Sequence, residues 1–136
     1  MTDTHHNSQQ HSVMAAEDNK ANQMVLKKLL KKKGIEPIFV NNGQEAVDLY
    51  QSSPEQWSLI FMDCEMPIMD GYTATENIRQ YEIAQQLSSC IIIGLSAHAL
   101  NEFRSKALDK GMTEYLTKPI DRDLLYAIID KYMPDE

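Results

Sequence analysis

Five short apolar runs alternate with five amphipathic segments along this chain, and that alternation constrains the fold more than any other feature. The strand candidates are residues 13–16, 35–40, 57–62, 90–95 and 113–117. Helical patterns separate them. Residues 20–33 place Val25 and Leu29 one turn apart, with Leu26 and Leu30 beside them. Residues 44–52, 73–86 and 99–110 follow, the second of these carrying Ala74, Ile78 and Tyr81 on one stripe. A last helix bears Leu125, Ile128, Ile129 and Tyr132 behind Asp121, a natural N-cap. Strands joined by helical crossovers form a parallel sheet with helices on both faces. The runs at 57–62 and 90–95 are almost continuously apolar, which suits inner strands covered on both sides. Pro37 falls within the second run and offers no N–H to a ladder, so that strand belongs at an edge.

Composition narrows the function classes. The chain has 136 residues, enough for one domain, expected over residues 12–134. Thirteen basic against twenty acidic residues leave a net charge of −7, which argues against a protein that coats nucleic acid. No apolar run approaches the ~20 residues that span a bilayer, so no direct membrane contact is expected. The N-terminus lacks the basic start and apolar stretch of a signal peptide. Cys64 and Cys90 are isolated and read as reduced thiols of a cytoplasmic protein. Residues 1–11 are polar, hold His5, His6 and His11, and read as a disordered leader or linker.

In a parallel sheet the C-terminal ends of all strands face one rim, where ligands bind. The first strand delivers Glu17 and Asp18 to it, the third Asp63, the fourth Ser96 and the fifth Lys118. Carboxylates brought this close repel, by about 1 kcal/mol per pair at ~4 Å in water and about 4 at an effective dielectric of ~20. A bound cation recovers that energy. An all-oxygen donor set selects Mg²⁺, with Mn²⁺ or Ca²⁺ as substitutes. Mg²⁺ takes few protein carboxylates, which leaves one free as a nucleophile. Lys118 and the Ser96 hydroxyl would then meet the oxygens of a transferred phosphoryl group. Asp70, before Gly71 and a helix, reads as a cap. Cys64 reads as a packed core thiol, and the lysine run from Lys27 to Lys33 as a solvated helix face.

Four segments of this rim together resemble the receiver domain of two-component response regulators. They are Ala16-Glu17-Asp18-Asn19 with Asn22-Gln23, the loop Met62-Asp63-Cys64-Glu65-Met66-Pro67-Ile68-Met69-Asp70-Gly71, Leu95-Ser96-Ala97-His98-Ala99, and Gly111 through Pro119. The resemblance implies a flavodoxin-like fold with strand order 2-1-3-4-5. It implies Asp63 as phosphoacceptor, attacking a phosphohistidine. It implies Mg²⁺ on Glu17, Asp18, Asp63 and the backbone carbonyl of Glu65. Ser96 and Tyr115 are its switch pair, Lys118 its phosphate partner, and Lys118–Pro119 a cis bond. Glu65 and His98 border the path of attacking water and are expected to tune the lifetime of the phosphoryl group. The wording of the first two segments is most similar to receivers of hybrid sensor histidine kinases, which pass their phosphoryl group to a histidine phosphotransfer domain. The expected partners are therefore a histidine kinase or a histidine phosphotransfer domain, the expected state a monomer, and the chain either a stand-alone receiver or, the favoured reading, a piece of a larger kinase. The domain itself is expected to be a signalling module rather than an enzyme.

Two other functions fit parts of the pattern. Asp63-x-Glu65 loosely resembles the Asp-x-Asp of haloacid-dehalogenase-like phosphatases, which would make this a small Mg²⁺-dependent phosphohydrolase, although nothing in the chain builds a substrate pocket. A pseudo-receiver that keeps the fold without the chemistry is the third reading, and it conflicts with a rim in which every expected position is filled.

Overall fold

The computed structural model describes residues 12–134; the expected leader at 1–11 lies outside them. Five strands, β1 (Ser12–Ala16), β2 (Ile38–Val40), β3 (Trp57–Asp63), β4 (Ile92–Ser96) and β5 (Glu114–Thr117), form one parallel sheet in the order β2-β1-β3-β4-β5. The helices are α1 (Lys20–Lys31), α2 (Gly43–Ser52), α3 (Gly71–Gln85), α4 (Asn101–Asp109) and α5 (Arg122–Tyr132). The fold class, the strand order and the edge position of β2 agree with the sequence reading. Among the described residues no helix is long and apolar enough to cross a membrane.

Side-chain alternation along the strands divides the interior into two layers. Met14, Ile60 and Met62 face a layer closed by Ala46, Val47 and Tyr50 of α2, Ala74 and Ile78 of α3, and Ala107 of α4. Val13, Leu59 and Phe61 face the opposite layer, closed by Leu26 and Leu30 of α1 and by Leu125, Ile128 and Ile129 of α5. Both faces of β3 are thus buried, as its almost continuous apolar run requires.

Several element limits differ from the expected ones, each for a local reason. β2 starts at Ile38, so Pro37 precedes it and withholds no ladder bond. β4 starts at Ile92, almost level with the start of its neighbour β5, and the Cys90 N–H before it donates to the Glu82 carboxylate at 2.8 Å. α1 ends at Lys31, and Gly34 takes φ +76° in the turn that follows. α3 begins two residues early, capped by Asp70, whose carboxylate accepts the Thr73 N–H at 2.8 Å. Asp121 caps α5 in the same way through the Leu124 N–H at 3.0 Å. A short 3₁₀ turn at Pro54–Gln56 was not anticipated. Cys64 and Cys90 are both free thiols.

Candidate functional site at the sheet rim

Register brings the expected residues together. Ala16 pairs with Met62, Asp63 with Leu95, and Ser96 with Thr117, so the strands end almost level. Glu17, Asp18, Asp63, Ser96 and Lys118 all follow from that alignment. The carboxylates of Glu17, Asp18 and Asp63 each offer an oxygen within 4.8 Å of the others. Glu17 and Asp63 are buried, and Asp18 is exposed.

Lys118 holds this acidic cluster together. Its ammonium lies 2.9 Å from Glu17 Oε1 and 3.0 Å from Asp63 Oδ2. The Lys118–Pro119 peptide is cis, as the resemblance implied. Burial works against the charge on Lys118, but the two carboxylates outweigh it and hold its pKa above the ordinary value. Burial raises the Asp63 carboxyl to about 7; Lys118 opposes the rise and Glu17 adds to it. One ammonium against three carboxylates leaves net negative charge in a partly dry site. An all-oxygen set with that charge fits a hard divalent cation such as Mg²⁺.

A second group adjoins the first. The Glu65 N–H donates to Asp63 Oδ1 at 3.2 Å. The Ser96 hydroxyl, fully buried, donates to both carboxylate oxygens of Glu65, at 3.3 and 3.4 Å. The His98 N–H donates to Ser96 Oγ at 3.1 Å, and the His98 carbonyl accepts the Tyr115 hydroxyl at 2.7 Å. His98 Nε2 is 4.0 Å from Glu65, and its ring stacks on Phe103 of α4 at 4.2 Å. Tyr115 therefore lies buried beneath the β4–α4 loop and is hydrogen-bonded to it. Beside both groups opens a cleft of about 570 Å³, walled by Asp18, Glu65, Met66, Asp70, His98 and Lys106.

The eight expected residues lie at or beside one rim, and side chains with no expected role support them. Asn19 caps α1 through the Asn22 N–H at 2.9 Å, and its own N–H donates to Glu17 Oε2 at 3.0 Å. The Gln23 amide donates to the Glu17 carbonyl and, at 3.1 Å, to Asn41 Oδ1. Asn19 and Gln23 both belong to the first of the four segments. Cys64 is the packed thiol expected, with burial raising its pKa to about 12.

The family model described as response regulator receiver domain matches residues 13–130. Hybrid signal transduction histidine kinase I of Dictyostelium discoideum is 39% identical over 121 residues, covering 87% of this chain and 7% of that protein. Sensor protein GacS of Pseudomonas syringae pv. syringae is 39% identical over 120 residues, covering 88% of this chain and 13% of that protein. The chain thus spans a small part of the curated relatives it matches. A chain in the co-crystal structure of the Saccharomyces cerevisiae histidine phosphotransfer signaling protein Ypd1 and the receiver domain of its downstream response regulator Ssk1 superposes with a TM-score of 0.84, at 32% identity, covering 90% of this chain and 88% of that one. The receiver domain of a Pseudomonas aeruginosa sensor histidine kinase, with a magnesium ion coordinated in its active site cleft, gives 0.78 at 34% identity, covering 92% and 98%.

Proposed function

The chain belongs to the response regulator receiver-domain family, and on that premise we propose that Asp63 takes a phosphoryl group from a phosphohistidine and passes it on or switches conformation. An Asp63 carboxylate oxygen attacks phosphorus. The new O–P bond forms as the N–P bond breaks, and the departing imidazole keeps the electron pair and takes up a proton. Glu17, Asp18, Asp63 and the Glu65 carbonyl would hold Mg²⁺, which would supply positive charge against the carboxylates and the phosphoryl oxygens; Mn²⁺ or Ca²⁺ would serve in its place. Lys118 pairs with the phosphoryl group, and the Ser96 hydroxyl donates to one of its oxygens. Tyr115 follows Ser96. Glu65 and His98 set how long the acyl phosphate survives, and a decay rate unchanged in both E65A and H98A would remove that role.

One observation carries this reading. A single half-buried ammonium sits between the buried carboxylates of Asp63 and Glu17, and Asp18 stands close enough to share a cation with both. Receivers of hybrid kinases are what the relatives contain, which supports a histidine kinase or a histidine phosphotransfer domain as partner, a place on the cytoplasmic side of a sensor kinase, and kinase activity in the full-length protein rather than in this domain. The domain is expected to act as a monomer. Moving a two-state switch from 1:99 to 99:1 takes about 5.5 kcal/mol, which a doubly charged group meeting Lys118, Ser96 and a cation could supply.

The test is intact-mass measurement after incubation with acetyl phosphate, with and without Mg²⁺. One phosphoryl addition that needs both Mg²⁺ and Asp63 is the expected result. Addition that persists in D63N would overturn the assignment.

A further inference from the structure

We infer that the Glu65 carboxylate is an internal competitor for the Ser96 hydroxyl proton, a latch that an arriving phosphoryl group must displace. This rests on the reading of Ser96 as a phosphoryl ligand and adds control over entry, distinct from control over decay.

A serine hydroxyl has one proton to give. Here it is given to Glu65, at 3.3 and 3.4 Å to the two oxygens. The Ser96 oxygen also accepts the His98 N–H at 3.1 Å. Donation to Glu65 and donation to a phosphoryl oxygen are therefore alternatives. Glu65 is held at that position through its backbone, whose N–H donates to Asp63 Oδ1 at 3.2 Å. The same residue thus touches the acceptor with its main chain and the switch hydroxyl with its side chain.

Charge works in the same direction as the hydrogen bond. Among the described residues no lysine or arginine forms an ion pair with the Glu65 carboxylate; the basic group nearest it is His98 Nε2 at 4.0 Å. An anionic phosphoryl group arriving beside it meets a like charge. The side chain is about half exposed, so it can swing out toward the cleft without disturbing the interior. The bonds also form a chain: Glu65 to Ser96, Ser96 to His98, and the His98 carbonyl to the Tyr115 hydroxyl. Release of Ser96 by Glu65 removes one of the contacts that fix the loop over Tyr115.

Beryllofluoride with Mg²⁺, followed by fluorine NMR, is a direct probe, because it occupies the phosphoryl position and does not hydrolyse. E65A should tighten its binding by roughly three- to tenfold, the scale of one ordinary hydrogen bond. E65Q, which keeps an acceptor oxygen but loses the charge and preserves the shape, should gain less. In an S96A background the gain from E65A should shrink to about twofold or below, since there is no proton left to contest. Equal affinity in the parent and E65A would overturn the latch alone, and so would an equal gain with and without the Ser96 hydroxyl. Failure of the parent chain to form any Mg²⁺-dependent adduct would overturn the phosphoacceptor reading and the latch with it.

Discussion

A side chain at Gly71 would collide with the backbone of Asp63: a Cβ there would stand 2.1 Å from the Asp63 carbonyl oxygen and 2.9 Å from its carbonyl carbon. The first residue of α3 therefore rests directly on the strand end that presents the proposed acceptor, and the Gly71 N–H donates to the Cys64 carbonyl at 3.0 Å. Backbone cannot yield as a flexible side chain can. Gly71→Ala should push α3 and the end of β3 apart, lowering stability by about 1–3 kcal/mol. The same displacement should weaken Mg²⁺-dependent phosphorylation in the molecules that remain folded. Urea unfolding together with acetyl phosphate labelling checks both, and a variant with parental values in each would show that the contact is slack.

Lys118 is the counterion of two buried carboxylates at once. Lys118→Met leaves Glu17 and Asp63 side by side without it, and removing one partner from a buried pair typically costs about 3–5 kcal/mol. Without divalent cations the variant should lose about that much stability near neutral pH. Mg²⁺ should restore a larger share in the variant than it adds to the parent, because it replaces the missing charge. Melting curves with and without Mg²⁺ decide this, and equal Mg²⁺ shifts in both proteins would count against a shared cation site.

Far from the rim, Glu82 is buried on α3 and its carboxylate accepts three hydrogen bonds. The Tyr50 hydroxyl donates at 2.9 Å, Arg79 at 2.9 Å and the Cys90 N–H at 2.8 Å. Arg79 also donates to the Gly111 carbonyl at 2.9 Å and so ties α3 to the turn before β5. Arg79→Met strands a buried carboxylate and should cost about 3 kcal/mol of stability. Glu82→Gln keeps the shape and an acceptor oxygen and should cost less. Neither change touches the rim, so the phosphorylation rate of the folded protein should stay within about twofold of the parent. A large rate loss in both variants would reveal coupling between the two ends of the sheet.

The rim was legible because its chemistry sits where strands stop. Glu17, Asp63, Ser96 and Lys118 each follow an apolar run, and parallel register does the rest. Asp70 and Asp121 were legible for a similar reason, since a cap is a local interaction between near neighbours in sequence. The Gly71–Asp63 approach was not, because it depends on how closely a helix start packs on a strand end. Nor was the Tyr50–Glu82 bond, which joins residues 32 apart. A signal for it existed: Glu82 stands one helical turn after Ile78, on a stripe read as apolar. The Glu82 carboxylate also accepts the Cys90 N–H just before β4. Glu65 and Ser96 were both assigned to the rim from sequence, but only distance could show that one occupies the other's proton.

Asp63 gives the stability of this chain a definite dependence on pH. Burial, helped by Glu17 and opposed by Lys118, moves its pKa from the ordinary 3.8 up to about 7 in the folded protein. At low pH the carboxyl is protonated in both folded and unfolded chains and contributes no difference. As pH rises through the window between those values, the unfolded chain releases its proton while the folded chain keeps it. The folded state then binds more protons, so this group makes stability fall with rising pH until the window is passed. Asp63→Asn removes the ionisation and keeps a neutral acceptor near Lys118. Without divalent cations, D63N should match the parent near about pH 4 and exceed it by on the order of 2 kcal/mol near about pH 8. Mg²⁺ should reverse the order, because a cation stabilises the ionised carboxylate of the parent and finds one ligand fewer in the variant. Urea titrations across that range, repeated with Mg²⁺, measure both effects. A stability difference that stays constant with pH would mean that Asp63 is ionised in the fold throughout, with Lys118 outweighing burial.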